Sequence, residues 1–129
     1  MMELIRTSGP TGTIHMILAA VIAVIAVRRV MQLAGGSFVP GPEWDASVNG
    51  ILFWGGFAAV LGLLGQTVGI YIALTAIRAA SDVAPWIVVE GFMVSFTPTL
   101  IGLLIVTVAS LAWYGLKSWG RRAARKPAA

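Results

Sequence analysis

Three long apolar segments, separated by short polar connections, dominate the pattern of the chain. They cover about residues 13–34, 48–77 and 86–119, and each is long enough to cross a bilayer core of about 30 Å, which takes about 20 apolar helical residues. The connections between them are rich in glycine and proline, which end helices. The pattern predicts an all-α membrane protein with three transmembrane helices in a single membrane domain, residues 1–129.

The composition excludes several other classes of protein. Of the 129 residues, 58% are apolar and 11% are charged, whereas an average soluble domain is about 45–50% apolar and about 25% charged. Disordered chains have low hydrophobicity and high charge, so that class is excluded as well. Without cysteine there are no disulfides or thiolate sites. The chain contains no nucleotide-binding loop, metal-ligand cluster or nucleophile beside a base, so we expect neither an enzyme nor a cofactor.

The basic residues predict the orientation of the helices. The formal net charge is +4, and seven of the nine Lys and Arg residues cluster at two span ends. Positive residues favour the cytoplasmic side, so the N-terminus is predicted outside, with the first loop and a basic tail at 120–129 in the cytoplasm. The charge thus indicates a multi-pass membrane protein in contact with lipids, and not a nucleic-acid partner. The seven residues are Arg28, Arg29, Lys117, Arg121, Arg122, Arg125 and Lys126.

Small residues in the second segment predict close helix packing. Gly55, Gly62 and Gly69 are seven apart and share one helix face. Gly65 and Gly69 form a small-xxx-small motif, which lets helix backbones approach in lipid. An amide in hydrocarbon is costly unless it is hydrogen-bonded. The neighbouring Gln66 therefore either joins two helices or lines a wet path.

The third segment carries a stripe of hydroxyl groups around a proline. Ser95, Thr99 and Gly102 follow helical spacing and share a face, with Thr97 close by. Pro98 frees a backbone carbonyl one turn earlier and is expected to kink the helix. The hydroxyls can satisfy that freed backbone or offer oxygens to a passing ion.

Two titratable residues near the outer ends of the spans have open roles. Glu90 is the only acidic residue clearly inside a span. It either gives ions access to the protein or lies in the headgroup region, where a carboxylate favours the N-terminal end of a helix. His15 is the only histidine, and its position near the end of the first span predicts an interfacial side chain, although an imidazole there could sense pH.

Two segments resemble signatures of the MotA/TolQ/ExbB proton-channel family. Residues 61–70, Leu-Gly-Leu-Leu-Gly-Gln-Thr-Val-Gly-Ile, are similar to the family pattern Gly-Leu-Leu-Gly-Thr-Val-x-Gly-Ile of the second helix. Residues 91–104 are similar to Gly-x-x-Val-Ala-Leu-x-Thr-Thr-Leu-x-Gly-Leu-Leu of the third helix. The resemblance covers about residues 50–117. The chain departs from the family in its short first loop, which stands where familiar members have a long cytoplasmic insertion.

The resemblance implies a homopentameric ring around the single spans of a dimeric ExbD/TolR/MotB-like partner. In that family, flow of ions, usually protons and possibly Na⁺ here, moves ring and partner against each other. Thr99 matches the pore threonine of the third helix, whereas the threonine of the second helix falls on Gln66, with Thr67 one position further on. The residues expected along the ion path are Thr99, Gln66, Thr67, Ser95, Thr97 and Glu90.

Two other functions fit the same residues. A structural or accessory membrane protein without ion conduction would use the polar stripes only to pack helices. A self-sufficient small transporter needs a charged residue deep in the bundle, and the chain offers only the shallow Glu90.

Overall fold

The computed structural model describes residues 9–80 and 82–125, and it consists of three long helices. They are α1 (Gly9–Ala34), α2 (Pro42–Ala79) and α3 (Pro85–Ala124). At 1.5 Å per residue they are about 39, 57 and 60 Å long. Each contains a stretch long and apolar enough to cross a membrane. The prediction of an all-α protein with three candidate spans is therefore confirmed. Lys126, one of the residues used to predict the orientation, lies outside the described residues.

Local sequence signals set the ends of these helices. Proline at the first position begins both α2 and α3, because its fixed φ suits a helix start and its missing N–H is not needed there. Basic residues occupy the last turn of both helices, where they favour the helix dipole. As a result α2 begins before residue 48, and α3 continues through the first residues of the predicted basic tail. After α1, Gly36 adopts a positive φ of 72°, a conformation suited to glycine.

The helices α2 and α3 form an antiparallel hairpin with extensive contact, and α1 packs against both. A buried apolar cluster lies between the three helices, in the half of the bundle next to the loop that joins α1 to α2. Trp44 is 7% exposed and meets the ring of Phe38 edge to face at 4.8 Å. The buried members of this cluster are Ile22, Leu33, Trp44, Val48, Ile51, Ala109 and Leu116.

The same half of the bundle collects basic side chains from two helices. Arg29 of α1 lies 5.3 Å from the ring centroid of Trp44 and donates hydrogen bonds to Gln32 and Ser47. Trp44 also packs against Gly120, next to the basic last turn of α3. The basic residues at the ends of α1 and α3 therefore lie at the same end of the bundle.

Candidate functional site

The backbones of α2 and α3 touch where a glycine of one helix meets the backbone of the other. A Cβ atom placed on Gly62 would lie 2.6 Å from the carbonyl oxygen of Pro98, and one on Gly102 would lie 2.6 Å from that of Ala58. Gly55 and Gly69 face α3 in the same way, against Ala109 and Ser95. The glycines spaced seven residues apart on α2 thus lie in its contact with α3.

Thr99 lies at the centre of this contact and is 8% exposed. Its Oγ1 is 3.0 Å from the carbonyl oxygen of Gly62 and 2.6 Å from Oε1 of Gln66. A hydroxyl group has only one proton, so it cannot donate to both oxygens at once. Both contacts are satisfied when Thr99 donates to the Gly62 carbonyl and the Gln66 amide is turned so that its NH₂ group donates to Thr99.

Ser95 extends the polar contact by one turn of α3. It is 5% exposed, packs against Gly69, and donates a hydrogen bond of 2.7 Å to the carbonyl of Gly91 in its own helix. Ser95, Thr99 and Gly102 therefore all face α2, on the shared face that their spacing predicts. The half-buried Gln66 reaches into this contact from α2, on the side of Thr99.

The first helix contributes His15, and its position differs from the expected interfacial one. The side chain is 1% exposed, and Nε2 lies 3.0 Å from the carbonyl oxygen of Ala58. A carbonyl can only accept, so the proton of the neutral ring resides on Nε2. The same carbonyl is the one that faces Gly102 across the hairpin. His15, Thr99, Gln66 and Ser95 together are called the polar cluster below.

The polar cluster lies near the middle of the stretches that carry no charged side chain. No Asp, Glu, Lys or Arg occurs from Ala46 to Ile77 or from Gly91 to Leu116, stretches about 48 and 39 Å long. Ala58, Gly62 and Thr99 each fall within about 7 Å of the middle of their stretch. Asn49 accepts hydrogen bonds from Trp113 and Lys117 at the basic end of the bundle. Ala58 lies about 14 Å from Asn49 along α2.

The remaining residues expected along the ion path lie apart from this cluster. Thr67 is exposed and donates to the carbonyl of Leu63 in its own helix, so its hydroxyl does not face Thr99. Glu90 is exposed near the start of α3, and Thr97 is half-buried.

Two other residues were expected to pack helices. Pro98 is buried inside the continuous helix α3 and meets Gly62 through its carbonyl. Gly65 is half-buried, and its packing role stays a prediction.

Chemically, the cluster brings together an imidazole, an amide and two hydroxyls without a formal charge. Such groups can order water or pass a proton between hydrogen-bonded partners. Within residues 9–80 and 82–125, no group of three or more His, Cys, Asp or Glu residues could hold a metal ion. Every buried side-chain nitrogen or oxygen in this part of the chain has a hydrogen-bond partner.

Comparison with known proteins gives no relative: no family model, curated protein or solved structure matches the chain.

The place of His15 could have been found from helical spacing. Leu18 and Ile22 follow it at i+3 and i+7, and both are buried, at 7% and 6% exposure. Residues at these positions share one face of a helix. The histidine therefore belongs to the inward face of α1, although counting from the end of the apolar segment suggests a position at its edge.

Proposed function

We propose that the chain is the subunit of an ion-conducting ring in a membrane, which couples ion flow to motion of a single-span partner. The polar cluster between otherwise apolar helices is the observation that carries the proposal. Its two α3 members, Ser95 and Thr99, and Gln66 of α2 belong to the two segments that resemble the MotA/TolQ/ExbB signatures. The partner expected from that resemblance is a dimer of the ExbD/TolR/MotB type, inside a homopentamer in a bacterial inner membrane.

The free-energy cost of placing these polar groups inside a membrane supports a role beyond helix packing. Small residues alone let helices approach closely in lipid, and the glycines of α2 already supply this. A hydrogen bond between helices in a membrane returns only about 0.6 kcal/mol on average, whereas an unsatisfied polar group costs several times more. Polar groups that three helices bring together over successive turns of α2 are therefore a poor way to gain stability and a good way to admit water or an ion.

The absence of charged side chains near the cluster supports the need for a partner. The cluster offers neutral groups that can accompany an ion, and the middle of α2 and α3 offers no carboxylate. An aspartate carried by a partner helix would supply the charge that a travelling cation neutralises. Protonation of that carboxylate removes a charge that is costly in lipid, and so changes which contact with the ring is favoured.

The substitution Thr99→Val tests the proposal, with Thr107→Val as its matched control. Valine keeps the volume of Thr99 but removes the hydroxyl that contacts Gly62 and Gln66. Thr107 is on the same helix, is exposed, and donates only to Leu103 in its own helix. Complexes purified through a tag on this chain are placed in liposomes, and proton flux is followed with an internal pH dye.

We expect wild type and Thr107→Val to conduct and Thr99→Val to lose flux while keeping the same assembly. Native mass spectrometry gives the number of 13.6 kDa chains in each complex, and five are expected. A stoichiometry other than five contradicts the ring, and flux through Thr99→Val equal to wild type contradicts the role of this threonine.

A structural or accessory role is the second candidate, and one observation favours it. Thr99 is buried, and its hydroxyl already has two partners within the same chain. In that case no preparation conducts, and Thr99→Val changes only the stability of the hairpin.

A further inference from the structure

We propose that the end of α3 binds the headgroup of an anionic phospholipid, whose acyl chains lie along the same face of the helix. The site is an open cavity of about 270 Å³ lined by Ser118, Arg121, Arg122 and Arg125, which is called the arginine site below. Ser118 lies about 28 Å from Thr99 along α3. The inference therefore goes beyond the proposed function and does not depend on ion conduction.

The lining of the arginine site suits a phosphate group. Guanidinium groups bind phosphate through pairs of parallel hydrogen bonds, and a serine hydroxyl can donate a further one. The arginines follow Ser118 by three, four and seven residues, so all four side chains share one face of the helix. Among the described residues that line the cavity, none is acidic. The ligand that this lining favours is an anion.

Two other basic side chains at this end of the bundle are used within the fold. Arg29 lies over the ring of Trp44, and Lys117 donates to Asn49. The three arginines of the arginine site, in contrast, are exposed. Their positive charge is therefore available to a ligand outside the bundle.

The arginine site lies where α3 passes from the apolar part of the membrane to the headgroups. The charge-free stretch of α3 ends at Leu116, and Ser118 follows two residues later. The neighbouring Trp119 is exposed, and tryptophan is enriched at the membrane interface. Helical side chains tilt toward the N-terminus, which for this end of α3 is the direction of the bilayer. The long arginine side chains can thus reach back to the level of the phosphates.

The face of the arginine site continues into the membrane as an apolar stripe, which favours a lipid over a free phosphate ion. Leu104, Leu111 and Tyr114 precede Ser118 on its face of the helix, and all three are exposed. A Cβ atom at Gly115 would have no neighbour within 4 Å, so the surface beside Tyr114 is open. The cavity is smaller than the about 300–1,000 Å³ of pockets that enclose a drug-sized ligand. It therefore fits a headgroup whose acyl chains lie outside it, along this stripe.

Lipid binding to the purified protein in a non-ionic detergent tests the site. Phosphatidylglycerol is added in increasing amounts, and native mass spectrometry counts the lipids bound to each chain. We expect saturable binding of phosphatidylglycerol and weaker binding of phosphatidylcholine, which has the same chains and phosphate but no net charge. Equal binding of the two lipids to wild type overturns the proposal without any variant.

Arg122→Gln is the test substitution, and Arg28→Gln is its matched control. Both arginines are exposed at the same end of the bundle, and each change removes one positive charge, but of the two only Arg122 lines the cavity. Arg121 also borders a second cavity together with Asp45, so it is the less specific choice. We expect Arg122→Gln to weaken phosphatidylglycerol binding about fivefold, and replacement of all three arginines by glutamine to weaken it about 100-fold. Arg28→Gln should bind like wild type, and equal losses in Arg122→Gln and Arg28→Gln overturn the site.

Two further comparisons separate the arginine site from simpler causes of binding. Lysine in place of all three arginines keeps the net charge but loses the paired hydrogen bonds to phosphate, so we expect weaker binding than in wild type. Binding equal to wild type would show a general attraction of charge and overturn the site. Glycerophosphoglycerol has the same headgroup without acyl chains, and we expect it not to displace the lipid. Displacement at lipid-like concentrations would show a site for free phosphate compounds and overturn the assignment to a lipid.

Discussion

The contact between Gly102 and Ala58 predicts that Gly102→Ala destabilises the hairpin and disturbs the polar cluster. A Cβ atom at residue 102 would lie 2.6 Å from the carbonyl oxygen of Ala58 and 3.1 Å from the Cα atom of Ala59. Both atoms belong to the backbone of α2, so no side chain can rotate away to make room. The added methyl group must therefore push the two helices apart.

The size of this effect follows from the distances at the contact. Ordinary van der Waals contact for a Cβ atom begins at 3.4 Å, and the difference from 2.6 Å requires a separation of about 0.8 Å. The same shift lengthens the contact between Thr99 and the Gly62 carbonyl from 3.0 Å to about 3.8 Å, beyond hydrogen-bonding range. Overpacking costs about 1–3 kcal/mol and the gain in helix propensity from alanine is at most about 1 kcal/mol. With the full gain from helix propensity, the net loss is up to about 2 kcal/mol.

Unfolding in mixed detergent micelles measures this loss. The protein is titrated with dodecyl sulfate, and the free energy of unfolding is obtained from circular dichroism and from tryptophan fluorescence. Gly115→Ala is the matched control, because it lies on the same helix and a Cβ atom there has no neighbour within 4 Å. We expect the control to equal or slightly exceed wild type in stability, since it gains helix propensity without a clash.

Equal stability of Gly102→Ala and Gly115→Ala would contradict the backbone clash at residue 102. A second readout comes from nuclear magnetic resonance of protein labelled with ¹⁵N-histidine, because His15 is the only histidine in the chain and its acceptor is the carbonyl that the new methyl group displaces. These signals should shift in Gly102→Ala and remain unchanged in Gly115→Ala.

Two further predictions concern the basic end of the bundle, and both are measured by the same titration. Trp44→Ala should lower the free energy of unfolding by about 3–5 kcal/mol, because the ring is buried at the centre of the apolar cluster. Trp119→Ala, at 45% exposure, should change it by less than about 0.5 kcal/mol; equal effects would show that Trp44 is not a core residue. Asn49→Ala removes the acceptor shared by Trp113 and Lys117 and should cost about 1 kcal/mol or less, because the group is exposed. A loss of several kcal/mol there would mean that this polar contact is buried from solvent.

The parts of the fold that the sequence predicts are those that depend on one helix at a time. Hydropathy over 20 or more residues is enough to identify a candidate span, so all three helices follow from the pattern. Spacing within a helix is enough to group side chains on a face. It places Gly55, Gly62 and Gly69 together on α2, and Ser95, Thr99 and Gly102 together on α3.

The level at which helices meet could not be predicted, because it depends on contacts between them. The contacts of Arg29 with Ser47 and Trp44 fix α1 against the start of α2. His15 lies about 21 Å from Arg29 along α1, and Ala58 lies about 16 Å from Ser47 along α2. The two residues therefore meet well inside the charge-free stretches. The end of an apolar segment gives no such information, because it says nothing of the neighbouring helix.

The choice between Gln66 and Thr67 shows the same limit at the scale of one residue. Adjacent helix positions differ by about 100° in direction, so only one of the two side chains can face α3. The structure turns Gln66 toward Thr99 and leaves the hydroxyl of Thr67 bonded to its own helix. The longer amide reaches across the contact at the position where the resemblance expects a threonine.

The carbonyl of Ala58 joins the packing of the α2–α3 hairpin to the buried histidine of α1. It faces Gly102 on α3 and accepts from His15 on α1, so the distance between α2 and α3 and the environment of the imidazole depend on the same backbone group. Any change in the hydrogen bond from His15 therefore acts directly on a contact where the backbones lie too close to tolerate a methyl group.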